Sequence, residues 1–352
     1  IMTHSIKTQA IRSEAQARRG HGDFRRTMNI KVMKFGGTSV ANATNINKVI
    51  DIISDSQKQR ENLVVIVSAL GGITDELIKL AALASKNEEA YKVLFRNICQ
   101  RHNQVIESLI QFEGGKNVLL EAGKKYVELK EIVKNIFQTK KLSPVSLDAV
   151  MSFGEQLSAY IMSEAIKNRG ILCEFVDART LIKTDDNFGS ANVDLKSSDK
   201  LISNFFSAKG GSAFGGKKTL SIMGGFIGST LLGETTTLSR GGSDYTASLV
   251  GAALDASVIE IWTDVDGIMT EDPKKMKDAL LIPEITYEKA EEMAYNGAKV
   301  IHPKTIRPAV LKSIPIYIKN TFNPKGSGTK ISNSDSRAKL ATGQVKNEKI
   351  KK

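Results

Sequence analysis

Four groups of residues could do chemistry, and each lies where an apolar run gives way to glycine. In KFGGTS (34–39) Lys34 precedes Gly36 and Gly37. Paired glycines let backbone N–H groups approach an oxyanion closely, and the lysine adds a point charge. The same residues could equally make a tight strand-to-helix turn with a surface lysine. The order is informative: the lysine comes first, and no G-x-x-x-x-G-K-[ST] occurs in the chain, so phosphate held here is not held by a Walker loop. SALGGITD (68–75) offers Ser68, a glycine pair and Thr74 ahead of a helix, whose N-terminus attracts anions; Gly-Gly turns are common without any ligand. TTTLSRGGSDYTAS (235–248) supplies Arg240, able to take a carboxylate bidentately, with Ser243 and Asp244. Asp244 could also be only a helix cap. IWTDVDGIMTEDPKKM (261–276) and the later NGAKVIHPKT (296–305) carry Asp264 and Asp266, which could orient a cation or a lysine, or simply close a loop. Trp262 reads as core, and His302, before a proline, as structural.

The elements that must position these groups follow from periodicity. IKVMKF, NLVVIVSA, ILCEFVDA, LSIMGGFIGS, VIEIWTDVDG and IPIYIKNT read as strands. NINKVIDIISD, ELIKLAALAS and FGEQLSAYIMSEAIKNRG read as helices, the last closed by Gly170. Residues 85–138 read as helical, with Tyr91, Leu94, Ile98, Val105 and Leu109 on one broad apolar side and Tyr126, Leu129, Val133 and Ile136 repeating the pattern. Strands followed by helices imply parallel neighbours with helices on both faces, and such sheets bind ligands at the carboxyl ends of their strands. SAKGGSAFGGKK (207–218) reads as a surface hairpin or loop.

Composition narrows the class. The chain has 352 residues, 41% hydrophobic and 25% charged, enough for a large core. Cys99 and Cys173 have no C-x-x-C spacing and the four histidines no metal spacing, which excludes a disulfide framework or zinc site and fits a reducing cytoplasm. No apolar run approaches the roughly 18–20 residues a membrane span needs. The net charge is +12, yet residues 1–27 and residues 335–352 each contribute +4, which leaves only +4 on the long body. A specific nucleic-acid role is therefore not expected. Residues 1–27, Arg-rich and without a sustained apolar pattern, are expected to be a disordered leader or extension, and 333–352 a basic polar tail.

Taken together and in order, these motifs resemble the aspartokinases of the amino acid kinase family. The carrying residues are KFGGTSVAN (34–42), VSALGGITD (67–75), SFGEQLSA (152–159), GFIGS (225–229), LSRGGSDYTASL (238–249), IWTDVDGI (261–268), EMAYNGAKVIHPKT (292–305) and the N-P-K-G-S-G-T run at 323–329. The resemblance spans 28–332. RGGSDYTA together with SFGE points to aspartokinases rather than their carbamate, acetylglutamate or uridylate relatives. It implies an α/β fold, a three-layer αβα sandwich around a mostly parallel sheet, with a helical segment at 85–145. It implies transfer of phosphate from ATP, with Mg²⁺, to the β-carboxylate of L-aspartate, the entry step to lysine, threonine, methionine and isoleucine. Matched residue by residue, it implies that Lys34 bridges the β-carboxylate and the γ-phosphoryl, and that Gly36 and Gly37 offer N–H donors. Asp244 would hold Lys34 and contact Mg²⁺ through water. Glu155 would pair with the α-ammonium and Arg240 with carboxylate, while Ser68, Thr74 and Ser243 complete the aspartate pocket. Thr263, Asp264 and Lys299 would serve the nucleotide, as would Met269 and Lys274, where the family often has Tyr and Arg. The family's usual regulatory domains are not expected within this chain, and IYIKNTFNP resembles the form fused to homoserine dehydrogenase. Small-molecule substrates and a homo-oligomer are the partners implied, with no membrane. Two alternatives remain at this point: a relative acting on a different carboxylate, or a non-catalytic subunit that keeps the fold.

Overall fold

Which way successive side chains point decides the architecture. In β1 (Ile30–Phe35) and β2 (Asn62–Val67), Met33, Phe35, Leu63, Val65 and Val67 pack into one apolar cluster, while Val32, Val64 and Ile66 pack into a second. Strands apolar on both sides must be covered on both sides. The structure, a computed structural model describing residues 30–59, 62–208, 220–271, 276, 278–295 and 303–333, bears this out. One layer holds α1 (Ala43–Lys58), α2 (Ile73–Ser85), α3 (Tyr91–Leu109), α4 (Phe112–Thr139) and α5 (Pro144–Asn168). The opposite layer holds α6 (Ala178–Leu181), α7 (Leu195–Ala208), α8 (Gly242–Ala253), α9 (Tyr287–Tyr295) and α10 (Pro303–Leu311). Among the described residues no helix is long and apolar enough to cross a membrane.

The sheet between them runs β3 (Cys173–Val176), β4 (Leu220–Gly224), β2, β1, β7 (Val258–Thr263), β9 (Ile316–Asn320), β10 (Thr329–Ser332), β8 (Glu284–Thr286). All neighbours are parallel except β9 and β10. The chain moves outward from β1 through β2 to β4 on one side and through β7 to β9 on the other. That reversal makes β1 a topological switch point, where a crevice opens beyond the carboxyl ends. Register brings those ends level, because Phe35 lies beside both Val67 and Trp262.

Two expectations need correction. LSIMGGFIGS is not one strand: Phe226, at φ +66°, turns the chain out of β4 into β5 (Ile227–Ser229), which pairs with β6 (Thr235–Thr237) in a separate hairpin. The helical stretch at 85–138 is two helices, α3 and α4, broken where Ile110 becomes extended. Helix α5 starts earlier than its apolar pattern suggests, at Pro144, behind a Ser143–Ser146 capping box. It ends as expected at Gly170, whose φ of +76° lets its N–H reach Lys167 and that of Ile171 reach Ile166. The segments 1–27 and 334–352, and most of the Gly-rich stretch 207–218, lie outside the described residues.

Near its start α5 carries Asp148, which is 0% exposed. Its carboxylate accepts from the Thr237 N–H (2.7 Å), the Thr237 hydroxyl (2.8 Å) and the Gly189 N–H (2.9 Å). One side chain therefore ties the helix layer to the β5–β6 hairpin. Removing it strands buried donors, each costing about 1–3 kcal/mol. Asp148→Ala is expected to lower unfolding stability by roughly 3 kcal/mol or more. Urea denaturation checks this, and a loss below about 1 kcal/mol would mean that the hairpin is held otherwise.

Candidate active site

Strand parity sets the direction of Lys34. Val32, two residues earlier, packs in the same cluster as Ala247 and Val250 of α8, so Lys34 emerges at the end of β1 toward the start of that helix. There Gly241, at φ +79°, opens α8 in a left-handed conformation that a β-carbon would strain. The first turn then presents Asp244. Lys34 Nζ lies 2.7 Å from Asp244 Oδ1, with the two side chains only 12% and 13% exposed. Gly36 sits alongside, its N–H donating to the Trp262 carbonyl at 3.1 Å. The expectation that Gly36 and Gly37 both present free N–H groups is thus corrected. Gly36 prolongs the β1–β7 ladder, which leaves Gly37 as the loop's candidate donor.

A second group converges from the β2 side. Ser68 follows β2, and its hydroxyl donates to Ser243 Oγ at 3.0 Å, linking the second glycine turn to α8. Gly225 makes this approach possible, because a β-carbon there would lie 2.6 Å from that of Ser243. Glu155, 3% exposed on α5, accepts weakly from the Ala69 N–H at 3.4 Å through Oε1, while Oε2 has no hydrogen-bond partner among the described residues. Burial pushes its carboxyl up to about 8. The structure thus joins Lys34, Asp244, Ser68, Ser243 and Glu155 around the carboxyl ends of β1 and β2. Thr74 stands half-buried in the first turn of α2, and Arg240 is exposed in the turn before α8. Among the described residues no hydrogen bond or ion pair joins either to that cluster.

Beyond β7 lies a polar rim. Thr263 donates to its neighbour Asp264 at 3.1 Å, and Asp266 accepts from Asn320 (3.0 Å) and Asn323 (3.1 Å). Asp266 therefore closes the β7 and β9 loops together, one of the two roles open to it. Met269 is half-buried and bridges to Leu281. Lys274, Lys299 and His302 lie outside the described residues. Trp262 is core, 3% exposed and stacked on Phe35. Burial pushes the thiols of Cys99 and Cys173 up to about 12, so neither is a ready nucleophile.

Sequence reasoning missed Arg101, whose guanidinium from α3 donates to the Gly71 carbonyl and to Glu76, both at 2.8 Å, bracing the second glycine turn. Nothing in a helical heptad marks such a residue, since its partners are distant in sequence. It also missed the Ser39–Thr321 hydroxyl pair at 2.7 Å, which anchors the first glycine loop to the end of β9.

Known proteins share this fold and part of this sequence. The model of the Amino acid kinase family matches residues 29–320. Lysine-sensitive aspartokinase 3 of Escherichia coli is 36% identical over 86% of this chain and 64% of its own length. The bifunctional aspartokinase/homoserine dehydrogenase of Buchnera aphidicola is 34% identical over 86% of this chain and 36% of its own. The crystal structure of E. coli aspartokinase III in complex with aspartate and ADP superposes with a TM-score of 0.78 at 33% identity, covering 87% of this chain and 65% of that one. The chain thus spans between about a third and two thirds of the length of these curated relatives. With the family model matched over 29–320 and the three-layer fold shared, the chain belongs to the amino acid kinase family.

Proposed function

We propose that this chain phosphorylates the β-carboxylate of L-aspartate with ATP, giving 4-phospho-L-aspartate and ADP. Residues 28–332 would form the kinase domain, and the cytoplasm the compartment. The observation that carries the reading is the Lys34–Asp244 pair, held at a strand end between two glycine turns and beside the buried Glu155. The relative crystallised with aspartate and ADP, whose fold this chain shares, supports the choice of substrates.

The difficulty of the reaction is electrostatic. A carboxylate oxygen must attack the γ-phosphorus of a polyanion while the bond to the β,γ-bridging oxygen breaks and ADP leaves. The β-carboxylate is already ionised at neutral pH, so no general base is required. What the protein supplies is position and positive potential. The Lys34 ammonium sits where both anions would meet, with Asp244 fixing its direction. The starts of α2 and α8, neither capped by a side chain, would turn their positive ends toward the anions. Ser68 and Ser243 offer hydroxyls, and Arg240 and Thr74 complete the aspartate pocket on closure around substrate. Thr263, Asp264, Met269, Lys274 and Lys299 serve the nucleotide. Among the described residues no cluster of three acidic, histidine or cysteine side chains could cage a metal. Mg²⁺ would be carried on phosphate oxygens, with Asp244 as the nearby carboxylate for its water shell. When bound, Mg²⁺ neutralises charge on the phosphates.

Lys34→Met is expected to lower kcat by roughly 10²-fold or more, the scale for losing one electrostatic donor to the transition state, with little change in nucleotide affinity. A folded variant that turns over normally in an ADP-release assay removes Lys34 from the mechanism.

Glu155 gives a pH signature. Buried without a counter-charge, its carboxyl binds a proton up to about pH 8. Pairing with the substrate ammonium requires that proton to leave. Below pH 8, then, aspartate binding competes with protonation. The KM for aspartate is expected to fall as pH rises toward 8, by up to about tenfold per unit, and then level off. Glu155→Gln should bind aspartate poorly at every pH, with a flat profile and an unchanged KM for ATP. A flat wild-type profile between pH 6.5 and about 8.5, measured against the expected rise in proton competition, overturns this assignment.

A further inference from the structure

The two glycine turns of the candidate site meet backbone to backbone. A β-carbon on Gly71 would lie 2.9 Å from that of Ala41 and 3.2 Å from the Gly37 carbonyl oxygen, and one on Gly37 would lie 3.3 Å from the Ala69 carbonyl oxygen. A displacement of Gly71 is thus passed to Gly37, the first loop's candidate N–H donor. Gly72, at φ +80°, then opens α2, which has no side-chain cap. The hold on this turn comes from another element. Arg101 of α3 donates through Nη2 to the Gly71 carbonyl and through Nη1 to Glu76 Oε1, both at 2.8 Å. One guanidinium therefore spans the glycine turn and the first turn of the helix behind it, the turn that carries Thr74. Its own root is firm, since Ile98, His102 and Val105 on either side of it in α3 are buried. Glu76 Oε2, also buried, has no hydrogen-bond partner among the described residues. The guanidinium thus divides its nitrogens between two acceptors instead of closing a fork on the carboxylate, a division that a single ammonium reproduces poorly.

From this geometry we infer that Arg101 is a positioning residue for phosphoryl transfer. It acts through the glycine turns: through Gly71 it sets Gly37, which faces the phosphoryl group, and through Glu76 it sets the start of α2, where Thr74 serves aspartate. The assignment rests on the proposed reaction. The side chains of Arg101 and Glu76 are 34% and 32% exposed, and an ion pair so open to water adds little to folding stability. A loop that faces the reacting atoms is far less tolerant, since a displacement of about 1 Å there costs up to about 10²-fold in rate. The arginine accordingly matters for position more than for folding.

The test compares the full-length chain with its Arg101→Ala variant in an ADP-release assay. The kcat is expected to fall roughly tenfold or more and the KM for aspartate to rise about threefold or more, while the KM for ATP holds. Partial misfolding would lower the active fraction and so kcat alone, leaving both KM values in place. Because the arginine is partly exposed, guanidinium chloride at about 20 mM should restore kcat severalfold in the variant, and urea at the same concentration should not. Amide exchange followed by mass spectrometry is read in parallel without substrate. The Val40 and Ile73 N–H groups close the two turns, donating to Gly36 and Leu70, and their peptides should exchange about tenfold faster in the variant, with β7 unchanged. This second readout needs no activity. If the unaltered chain releases no ADP with aspartate, the proposed function fails, and exchange alone then decides the role of Arg101. Unaltered kcat and KM, restoration by both additives or by neither, or unchanged exchange in both turns overturns the inference.

Discussion

Everything at the candidate site depends on an ion pair that would not form by itself. Lys34 and Asp244 meet at 2.7 Å with little exposure, and taking both charges out of water costs several kcal/mol before their attraction returns any of it. Such a pair is poor evidence of a stabilising device. It persists because each partner is delivered by an element held in place by its own apolar packing. β1 is central and covered on both faces, so the side-chain parity of Lys34 is not free to slip. Asp244 is fixed by the first turn of α8, whose apolar side, including Ala247 and Val250, belongs to the same cluster as Val32. Hydrophobic burial thus positions a charge arrangement that is costly in itself.

The same logic explains why so many polar groups gather at one edge. Parallel strands end together, and the helices that follow them begin there, so strand ends, uncapped helix starts and glycine turns share a single crevice. The helix starts and the Lys34 ammonium contribute positive potential. Against that background stands Glu155, a carboxyl group in the protein interior with one oxygen unpartnered among the described residues. An unpaired buried charge is so costly that burial favours the protonated carboxyl, and in the proposed reaction a substrate ammonium would draw that proton off. The resting site can therefore hold a latent anion without repelling the anions it is proposed to receive.

The sheet was legible where strands are long and apolar. IKVMKF and NLVVIV stand in the structure as read, since a run apolar on both faces has few alternatives to an interior strand. β8 and β10 escaped because three or four residues carry no period, and the β5–β6 hairpin escaped because the turn at Phe226 uses a left-handed conformation that the sequence Gly-Phe-Ile does not advertise. Within the site, residues embedded in glycine motifs were readable, Lys34 and Asp244 above all. Supporting residues were not. Asp148 and Arg101 act on backbone groups 30 to 89 positions away, and nothing local distinguishes them from an ordinary helical acid and base. A backbone partner leaves no mark on the sequence around it.

The pairing of Lys34 with Asp244 also bears on how the proposed reaction avoids arresting itself. A bare ammonium in a crevice this dry would hold ATP, aspartate and phosphorylated product with similar strength, and uniform binding lowers KM without raising kcat. Asp244 tempers that charge. In the resting state the ammonium is paired with a carboxylate, so an anion gains only the difference between sharing Lys34 and leaving it to Asp244. As the phosphoryl group moves between two oxygens, negative charge is spread over its equatorial oxygens and builds on the leaving oxygen, and in the proposed reaction the share of Lys34 drawn toward it would grow. The interaction is then strongest in the transition state and weaker on either side of it, the condition under which a fixed charge accelerates the chemical step rather than merely retaining the reactants.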